Sequence, residues 1–330
     1  MALPKALSDM ISIIIPTYNR LQLLQYTLRS LAAIKQPGID MEIIVVDDAS
    51  TDDTWDQVLV NYPYVTLLEN KGKGAAAARN TGLYAAKGEY ILYLDSDDLL
   101  GPHFFDWKLA YLQKNTSYHA CYGDYDYFEG DADFDTAQVI FKNKYPLITD
   151  ITNLPQHVAQ YLSGKYIPAN AILWRKDFLL KINGHDESLN INQDVDLFLR
   201  AILNGLKIAV ALDKTKAYIR NHETDTRVGD PRNARQKWIQ MLEIRIKLWE
   251  RLKAVGYDGP EYSKLLSYYI FSRWKILRHT DPETAKRYLE FAKRVHWPIE
   301  LRGHPMLKIV GKIIGPERFI KLKFNFLKRD

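Results

Sequence analysis

Three aspartates follow directly on the apolar run 90–94, at Asp95, Asp97 and Asp98, with Ser96 between the first two. Carboxylates this close together repel one another unless a cation neutralises them, and oxygen ligands of this kind suit Mg²⁺ or Mn²⁺. Mg²⁺ is often held by one or two carboxylates together with the phosphates of a substrate. The cluster therefore predicts a divalent metal site for a phosphorylated ligand. An acidic loop that merely caps the following helix is the alternative.

A second acidic pair, Asp47 and Asp48, ends another apolar run. One of these carboxylates could accept hydrogen bonds from a nucleobase or a ribose. Ser50 or Thr51 is a good cap for the next helix, but capping does not explain the acidic pair before them. The pair predicts a nucleotide contact.

Arg79 lies in a segment of small residues, GKGAAAARNTG at 72–82, which predicts a helix packed closely on a sheet. From about a turn and a half into that helix, Arg79 could reach a pyrophosphate or a base. A surface salt bridge is one alternative. Another takes Gly72, Gly74 and Ala77 as a dinucleotide fingerprint, although that fingerprint normally opens the first βαβ unit and needs no aspartate cluster.

Short apolar runs that alternate with helical patterns position these groups. The predicted strands are Ile11–Ile15, Glu42–Val46, Tyr64–Leu68 and Tyr90–Leu94, and the predicted helices between them are Leu21–Ile34, Asp53–Tyr62 and Gly74–Ala86. Strands that are apolar at nearly every residue indicate a parallel sheet covered on both faces, whose ligands bind beyond the carboxyl ends of the strands. The acidic motifs therefore share one sheet edge with the residues that end the first strand, Pro16, Thr17, Tyr18 and Arg20.

The pattern becomes irregular beyond residue 115, including the aromatic stretch 118–128, and then predicts a helix at Asp194–Leu203. After residue 230 it is almost wholly helical. We therefore predict one domain at 1–230, with a first part at about 11–115 that carries the acidic motifs and a second part at 116–230, and a helical basic region at 231–330.

Composition narrows the class of protein. The net charge of +5 is too small to favour nucleic-acid binding. The lone Cys121 excludes an internal disulfide and suits a reducing compartment. The N-terminus lacks the pattern of a secretory signal, and no run approaches the ~18 apolar residues of a membrane span. These features predict a cytoplasmic protein.

The last 30 residues, 301–330, contain eight basic and two acidic residues interleaved with apolar ones. Basic amphipathic segments favour anionic membrane surfaces. Peripheral membrane contact through this tail is one prediction. A helical tail packed on the catalytic domain, with solvated lysines, is the alternative.

Four ordered segments resemble the donor-binding half of the family 2 glycosyltransferases, whose fold is called GT-A. They read IIIPTYNR at 13–20, VVDDASTD at 45–52, ARNTG at 78–82 and DSDD at 95–98. The resemblance implies an α/β fold with a Rossmann-like, mostly parallel sheet flanked by helices. It also implies donor-site roles. Asp47 or Asp48 would hold the base, Arg79 would approach the nucleotide, and Asp95 with Asp97 would hold the metal.

Two later segments, NGHDESL at 183–189 and QDVDLFLR at 193–200, are similar to the acceptor side of the same family. There an acidic pair usually opens a helix and one member acts as the catalytic base. Here the first acid is replaced by Gln193, so the resemblance implies Asp194 as the base, with helix capping as the alternative. Residues 220–222 resemble a later R-x-H element, which places His222 near the metal or the diphosphate.

The resemblance implies an inverting, Mn²⁺- or Mg²⁺-dependent glycosyltransferase. The donor is a nucleotide diphosphate sugar, with a UDP-sugar favoured, and the acceptor is a hydroxyl of a glycan or a lipid-linked molecule in surface polysaccharide, lipopolysaccharide or glycoprotein glycan synthesis. Two alternatives stay open. One is an NAD-dependent oxidoreductase that uses the glycine fingerprint, and the other is a catalytically inactive nucleotide-sugar-binding module, which Gln193 would fit.

Overall fold

The computed structural model describes residues 10–34, 39–129, 138–142, 158–159, 162, 167–220 and 234–296. The chain divides into two compact units, one made of Met1–His157 and Tyr166–Arg232 and the other of Val158–Lys165 and Asn233–Asp330. The longer segment of the second unit thus begins at Asn233, whereas the sequence predicts a domain boundary between residues 230 and 231.

The first unit is built on a sheet flanked by helices. Its strands are β1 (Ile11–Thr17), β2 (Met41–Asp47), β3 (Val65–Glu69), β4 (Tyr90–Tyr93), β5 (Leu99–Leu100), β6 (Ala120–Glu129), β7 (Gln138–Lys142), β8 (Ile172–Arg175) and β9 (Ile208–Arg220). Its helices are α1 (Leu21–Ala33), α2 (Thr54–Asn61), α3 (Gly74–Ala85), α4 (Asp106–Lys114), α5 (Lys176–Lys181) and α6 (Gln193–Leu203).

The strands lie in the order β3-β2-β1-β4-β8-β6-β9-β5, and β7 pairs with β6. All pairs among β1 to β4 are parallel, which confirms the prediction for this half of the sheet. In the other half β8 is antiparallel to both β4 and β6, whereas β6 and β9 are parallel. The sheet as a whole is therefore mixed, and its parallel part carries the predicted acidic motifs.

The stretch predicted as irregular contains the ten-residue strand β6, so this part of the prediction is wrong. The strand is buried or half-buried at every position, so its acidic residues do not form an exposed polar face. The alternation that marks a half-buried strand is confined to Asp124–Tyr127, between an apolar start and the pair Phe128 and Glu129. The next helix after the aspartate cluster, α4, begins at Asp106 because β5 and a turn through His103, at a φ of 60°, lie between them.

Close contact between α3 and β1 depends on Gly82. A Cβ atom at this position would lie 2.3 Å from Cγ2 of Ile14, in a strand whose residues are all buried. We expect Gly82→Ala to lower the free energy of unfolding by about 1–3 kcal/mol, since overpacking forces the helix away from the sheet. Urea titration would measure the loss. Tyr84→Ala, on the exposed face of the same helix, should change it by no more than about 0.5 kcal/mol.

The second unit is helical in the residues described, as predicted. It comprises α7 (Ala234–Ala254), α8 (Pro260–Leu277) and α9 (Pro282–Val295). Asp281 caps α9 by accepting a hydrogen bond from the Thr284 N–H at 3.1 Å, and the Tyr288 hydroxyl donates to the Trp238 carbonyl of α7 at 2.6 Å. Within the described residues no helix combines the length and the apolar character that crossing a membrane requires. The basic tail at 301–330 lies outside them.

Candidate functional site

The predicted residues of the first strand meet the acidic motifs at one edge of the sheet. Thr17 is paired with Asp47 across β1 and β2, and Asp95 lies two residues beyond the end of β4, the other neighbour of β1. Pro16 and Thr17 are buried within β1, while Tyr18 beyond its end is exposed. This convergence is the one that parallel strand ends impose.

The aspartate cluster is drawn together by cations and amides from four other segments. Arg79 donates to Asp95 at 2.6 Å, and Arg20 donates to Asp97 at 2.6 Å. Asp98 is occupied on both oxygens, which accept from the Arg220 backbone N–H at 2.9 Å and from the Asn170 amide at 2.7 Å. Both oxygens of Asp98 are thus held by the protein, whereas Asp95 is bound through Oδ1 and Asp97 through Oδ2 in the contacts to these two arginines.

The donor set of this cluster fits a hard divalent cation. One carboxylate oxygen from each of Asp95, Asp97 and Asp98 lies within 4.8 Å of the others, and no other such acidic, histidine or cysteine cluster occurs among the described residues. Burial raises the pKa of Asp95 despite the opposing Arg79 guanidinium. Burial raises the pKa of Asp98 well above its usual range, and the charges of Asp97 and Asp95 raise it further. A cation among them would relieve this repulsion.

Asp47 and Asp48 have different partners. Asp47 accepts from the backbone N–H of Ser50 at 2.9 Å and from its hydroxyl, so it closes the turn after β2. Asp48 accepts from the Asn70 amide at 2.6 Å and from the Gly74 N–H, the first residue of α3, at 2.8 Å. Asp47 is 5% exposed and Asp48 is half-buried, so Asp48 offers the more accessible carboxylate to a ligand.

Arg79 is 5% exposed, so its interpretation as a surface salt bridge is wrong. Besides Asp95, its guanidinium donates to the Gln193 side-chain oxygen at 2.7 Å and lies 3.9 Å from Oδ1 of Asp194. The arginine thus joins the aspartate cluster to the first turn of α6. Gln193 also donates to the Leu189 carbonyl at 2.8 Å, which fixes the amide that accepts from Arg79.

Asp194 lies in the first turn of α6, close to two basic side chains. Its Oδ1 lies 3.6 Å from Nε2 of His185 in addition to its 3.9 Å separation from Arg79. Burial acts to raise the pKa of Asp194, but Arg79 and His185 outweigh it and hold the pKa below its usual range. The carboxylate is therefore ionised at neutral pH, as a general base must be.

Three of the contributing residues were not predicted from the sequence. His185 stands inside the segment NGHDESL but was given no role, and Asn170 belongs to no motif. Asn80 next to Arg79 was also passed over. It accepts from the His185 N–H at 2.8 Å and donates to the His185 carbonyl at 2.9 Å. The predicted metal contact His222 lies outside the described residues.

The glycines of the dinucleotide alternative serve local geometry. A Cβ atom at Gly72 would lie 2.7 Å from Cβ of Ala77, and Gly74 has a φ of +82° at the start of α3. These residues follow β3, an edge strand of the sheet. They therefore do not lie in the first βαβ unit, where a dinucleotide fingerprint normally occurs. A requirement for packing and for positive φ accounts for both glycines without a dinucleotide.

Comparison with known proteins identifies a match to the family model "Glycosyl transferase family 2" over residues 12–178. The chain is 30% identical over 217 residues to poly(ribitol-phosphate) beta-N-acetylglucosaminyltransferase TarS of Staphylococcus aureus, an alignment that covers 64% of the chain and 36% of that relative's length. It is 25% identical over 290 residues to an uncharacterized glycosyltransferase of Haemophilus influenzae, covering 86% of the chain and 90% of the relative.

Among solved structures, residues 1–349 of S. aureus TarS in complex with UDP-GlcNAc superimpose on the chain with a TM-score of 0.60 at 18% identity. The match covers 86% of the chain and 79% of that structure. At this identity the likeness establishes the fold, and it confirms the predicted GT-A architecture with its helical C-terminal region.

Proposed function

This chain belongs to glycosyltransferase family 2, and on that premise we propose that it transfers a sugar from a nucleotide diphosphate donor to an acceptor hydroxyl, with inversion. The observation that carries the proposal is the buried Arg79, which contacts the carboxylate cluster at Asp95 and lies beside the ionised Asp194. One side chain thereby sets the distance between a diphosphate-binding site and a base. An inactive binding module would need no such coupling.

In the proposed reaction Asp194 accepts the proton of the acceptor hydroxyl. The hydroxyl oxygen forms its new bond to the anomeric carbon while the bond from that carbon to the diphosphate breaks, so the electron pair leaves with the diphosphate. Attack from the face opposite the leaving group inverts the anomeric configuration. Arg79 stabilises the charge that builds on the diphosphate, because a buried guanidinium acts in a medium of low effective dielectric.

Asp95 and Asp97 would hold a divalent cation, Mn²⁺ or Mg²⁺, with Ser96 beside them and Arg20 paired to Asp97. When bound, the cation supplies Lewis-acid neutralisation of the diphosphate. His222 is proposed as a further ligand. Arg20 restrains the Asp97 carboxylate, so the ligand geometry depends on the loop after β1 as well as on the segment after β4.

We favour a UDP-sugar as the donor, with the base held by Asp48 or Asp47 and the sugar and ribose approached by Pro16, Thr17 and Tyr18. The S. aureus relative acts on poly(ribitol-phosphate), and its structure contains UDP-GlcNAc. Because the chain spans only 36% of that relative's length, the acceptor is proposed at the level of class. It is a glycan or lipid-linked hydroxyl of a surface polysaccharide, reached at the cytoplasmic face of a membrane.

Calorimetric titration with UDP, GDP, CDP and ADP, each with and without Mn²⁺, tests the donor site. We expect one nucleotide to bind with an affinity that rises at least about tenfold in Mn²⁺, because the cation joins the carboxylates to the diphosphate. NAD, titrated in parallel, should not bind. If none of the four nucleotides binds, or if NAD binds without metal, the proposal fails.

A further inference from the structure

His185 has no part in the mechanism above, yet its ring is placed next to the proposed base. The residue is 2% exposed and follows Gly184, whose φ of +54° turns the chain inward. Its backbone is held from both sides by the Asn80 amide, as described above. This clamp ties the position of the ring to α3, the helix that also carries Arg79. The ring position is therefore set by the donor-binding half of the site.

The imidazole of His185 lies between an aromatic ring and the carboxylate of Asp194. Tyr93 of β4 packs edge-on against it at 4.7 Å between ring centroids. Nε2 lies 3.6 Å from Oδ1 of Asp194, and neither ring nitrogen has a hydrogen-bond partner within 3.5 Å among the described residues. The charged groups near the ring are Arg79 of α3 and Asp194 and Arg200 of α6. Catalytic hydrogen bonds are commonly this long before the substrate binds.

The imidazole is neutral at pH 7 in this setting. Burial lowers the pKa of His185, and the charges of Arg79 and Arg200 lower it further. These effects together outweigh Asp194, which acts to raise the pKa. A neutral imidazole carries one N–H, so it can hold one carboxylate oxygen without adding a charge. Oδ1 of Asp194 is buried between His185 and Arg79, while the side chain as a whole keeps 29% exposure. That exposure belongs to its other atoms, of which Oδ2 is the polar one.

We propose that His185 is a positioning residue for Asp194, donating from Nε2 to Oδ1 so that Oδ2 faces the acceptor hydroxyl. The inference rests on the proposed function, in which Asp194 is the base. By holding one oxygen, His185 restricts rotation of the carboxylate and keeps the other oxygen at the reacting hydroxyl. The role is like that of residues that hydrogen-bond to a metal ligand or a catalytic group and so fix its orientation.

The test compares His185→Phe, which keeps the ring packing on Tyr93 but removes the donor, with His185→Gln, which keeps an N–H near the position of Nε2. Each is assayed for UDP release from UDP-GlcNAc, or from the donor whose nucleotide binds, and for nucleotide affinity by calorimetry. We expect His185→Phe to lower turnover about 10- to 100-fold with nucleotide affinity unchanged within about twofold. His185→Gln should recover most of the loss, whereas a role in packing alone would favour the Phe variant.

The same substitution is then made in an Asp194→Asn background. If His185 acts through Asp194, His185→Phe should cause no further loss there, since residues that act as a unit are not additive. An equal loss in both backgrounds, or a His185→Phe variant with full turnover, would overturn the inference.

A measurement without turnover separates this inference from the proposed function. In ¹⁵N-histidine NMR spectra at pH 7, with His185 assigned by its absence in the Phe variant, the proton should reside on Nε2. A ring protonated only at Nδ1 would overturn the positioning role. Failure of every nucleotide to bind would instead overturn the glycosyltransferase proposal and leave the tautomer result standing.

Discussion

Replacement of Asp194 by Asn is expected to lower the turnover of sugar transfer about 10²- to 10⁴-fold, the usual contribution of a general base. The amide occupies the same volume next to Arg79 and His185, but it cannot accept the proton of the acceptor hydroxyl. Nucleotide binding should stay within about twofold of the wild type, because the aspartate cluster and Arg20 are untouched. Steady-state release of UDP from the donor, with calorimetry on the same preparations, measures both quantities.

The matched control is Asp177→Asn. Asp177 also lies in the first turn of a helix, α5, but it is exposed and its side chain accepts from the Phe178 N–H at 2.6 Å. If Asp194 only stabilises its helix terminus, the two variants should each lose about 0.3–1 kcal/mol of stability and keep full turnover. Such a result would remove Asp194 from the mechanism and would favour the inactive nucleotide-binding module.

The combination of Asp95→Ala and Asp97→Ala is expected to abolish the dependence of nucleotide binding on Mn²⁺ and to weaken binding in the presence of Mn²⁺ at least about 100-fold. The physical reason is twofold. The cation loses its protein ligands, and the diphosphate then approaches the site without a bridging charge. Removal of the metal from the wild type with EDTA should mimic the double variant, and added Mn²⁺ should restore binding only in the wild type.

A control of equal charge removes two exposed acids from helix first turns, Asp56→Ala with Asp177→Ala. Both double variants lose two negative charges, so a general electrostatic effect on an anionic nucleotide would appear in both. We expect the control to retain metal-dependent binding. Retention of that dependence in the Asp95 and Asp97 variant would contradict the proposed metal site. The Asp95→Ala change also removes the ion pair with the buried Arg79, which can destabilise the fold. Thermal unfolding of each variant is therefore recorded as well.

The parallel half of the sheet and its acidic edge could be predicted because the information is local. Strands β1 and β4 are short runs that are apolar at nearly every residue, as strands buried on both faces must be, whereas the edge strand β3 is only partly apolar and partly exposed. Parallel strands present their carboxyl ends at one edge, so Asp47 and Asp95 had to lie at the same edge of the sheet once the strands were assigned. The strand β6 escaped prediction because its period-2 alternation is confined to Asp124–Tyr127, within a run of mixed aromatic, acidic and small residues that is buried or half-buried throughout.

Contacts between distant segments had no such signal. Gln193 is 114 residues from Arg79 in the chain, and Asn170 is 72 residues from Asp98. Hydrophobic periodicity indicates which face of a helix is buried, but not which polar group it meets there. The family resemblance placed Asp194 among the candidates, whereas its pairing with His185 and Arg79 follows from the packing of α3 against the loop before α6.

The sequence by itself therefore determined the class of fold, the acidic edge and the kinds of side chain available there. The tertiary structure decided how those side chains are divided among tasks. It shows both oxygens of Asp98 held by Arg220 and Asn170, Arg79 buried between Asp95 and the first turn of α6, and Nε2 of His185 3.6 Å from Oδ1 of Asp194. The reason is physical. The charge state and reach of a carboxylate depend on its burial and on its neighbours, and residues far apart in the chain supply both.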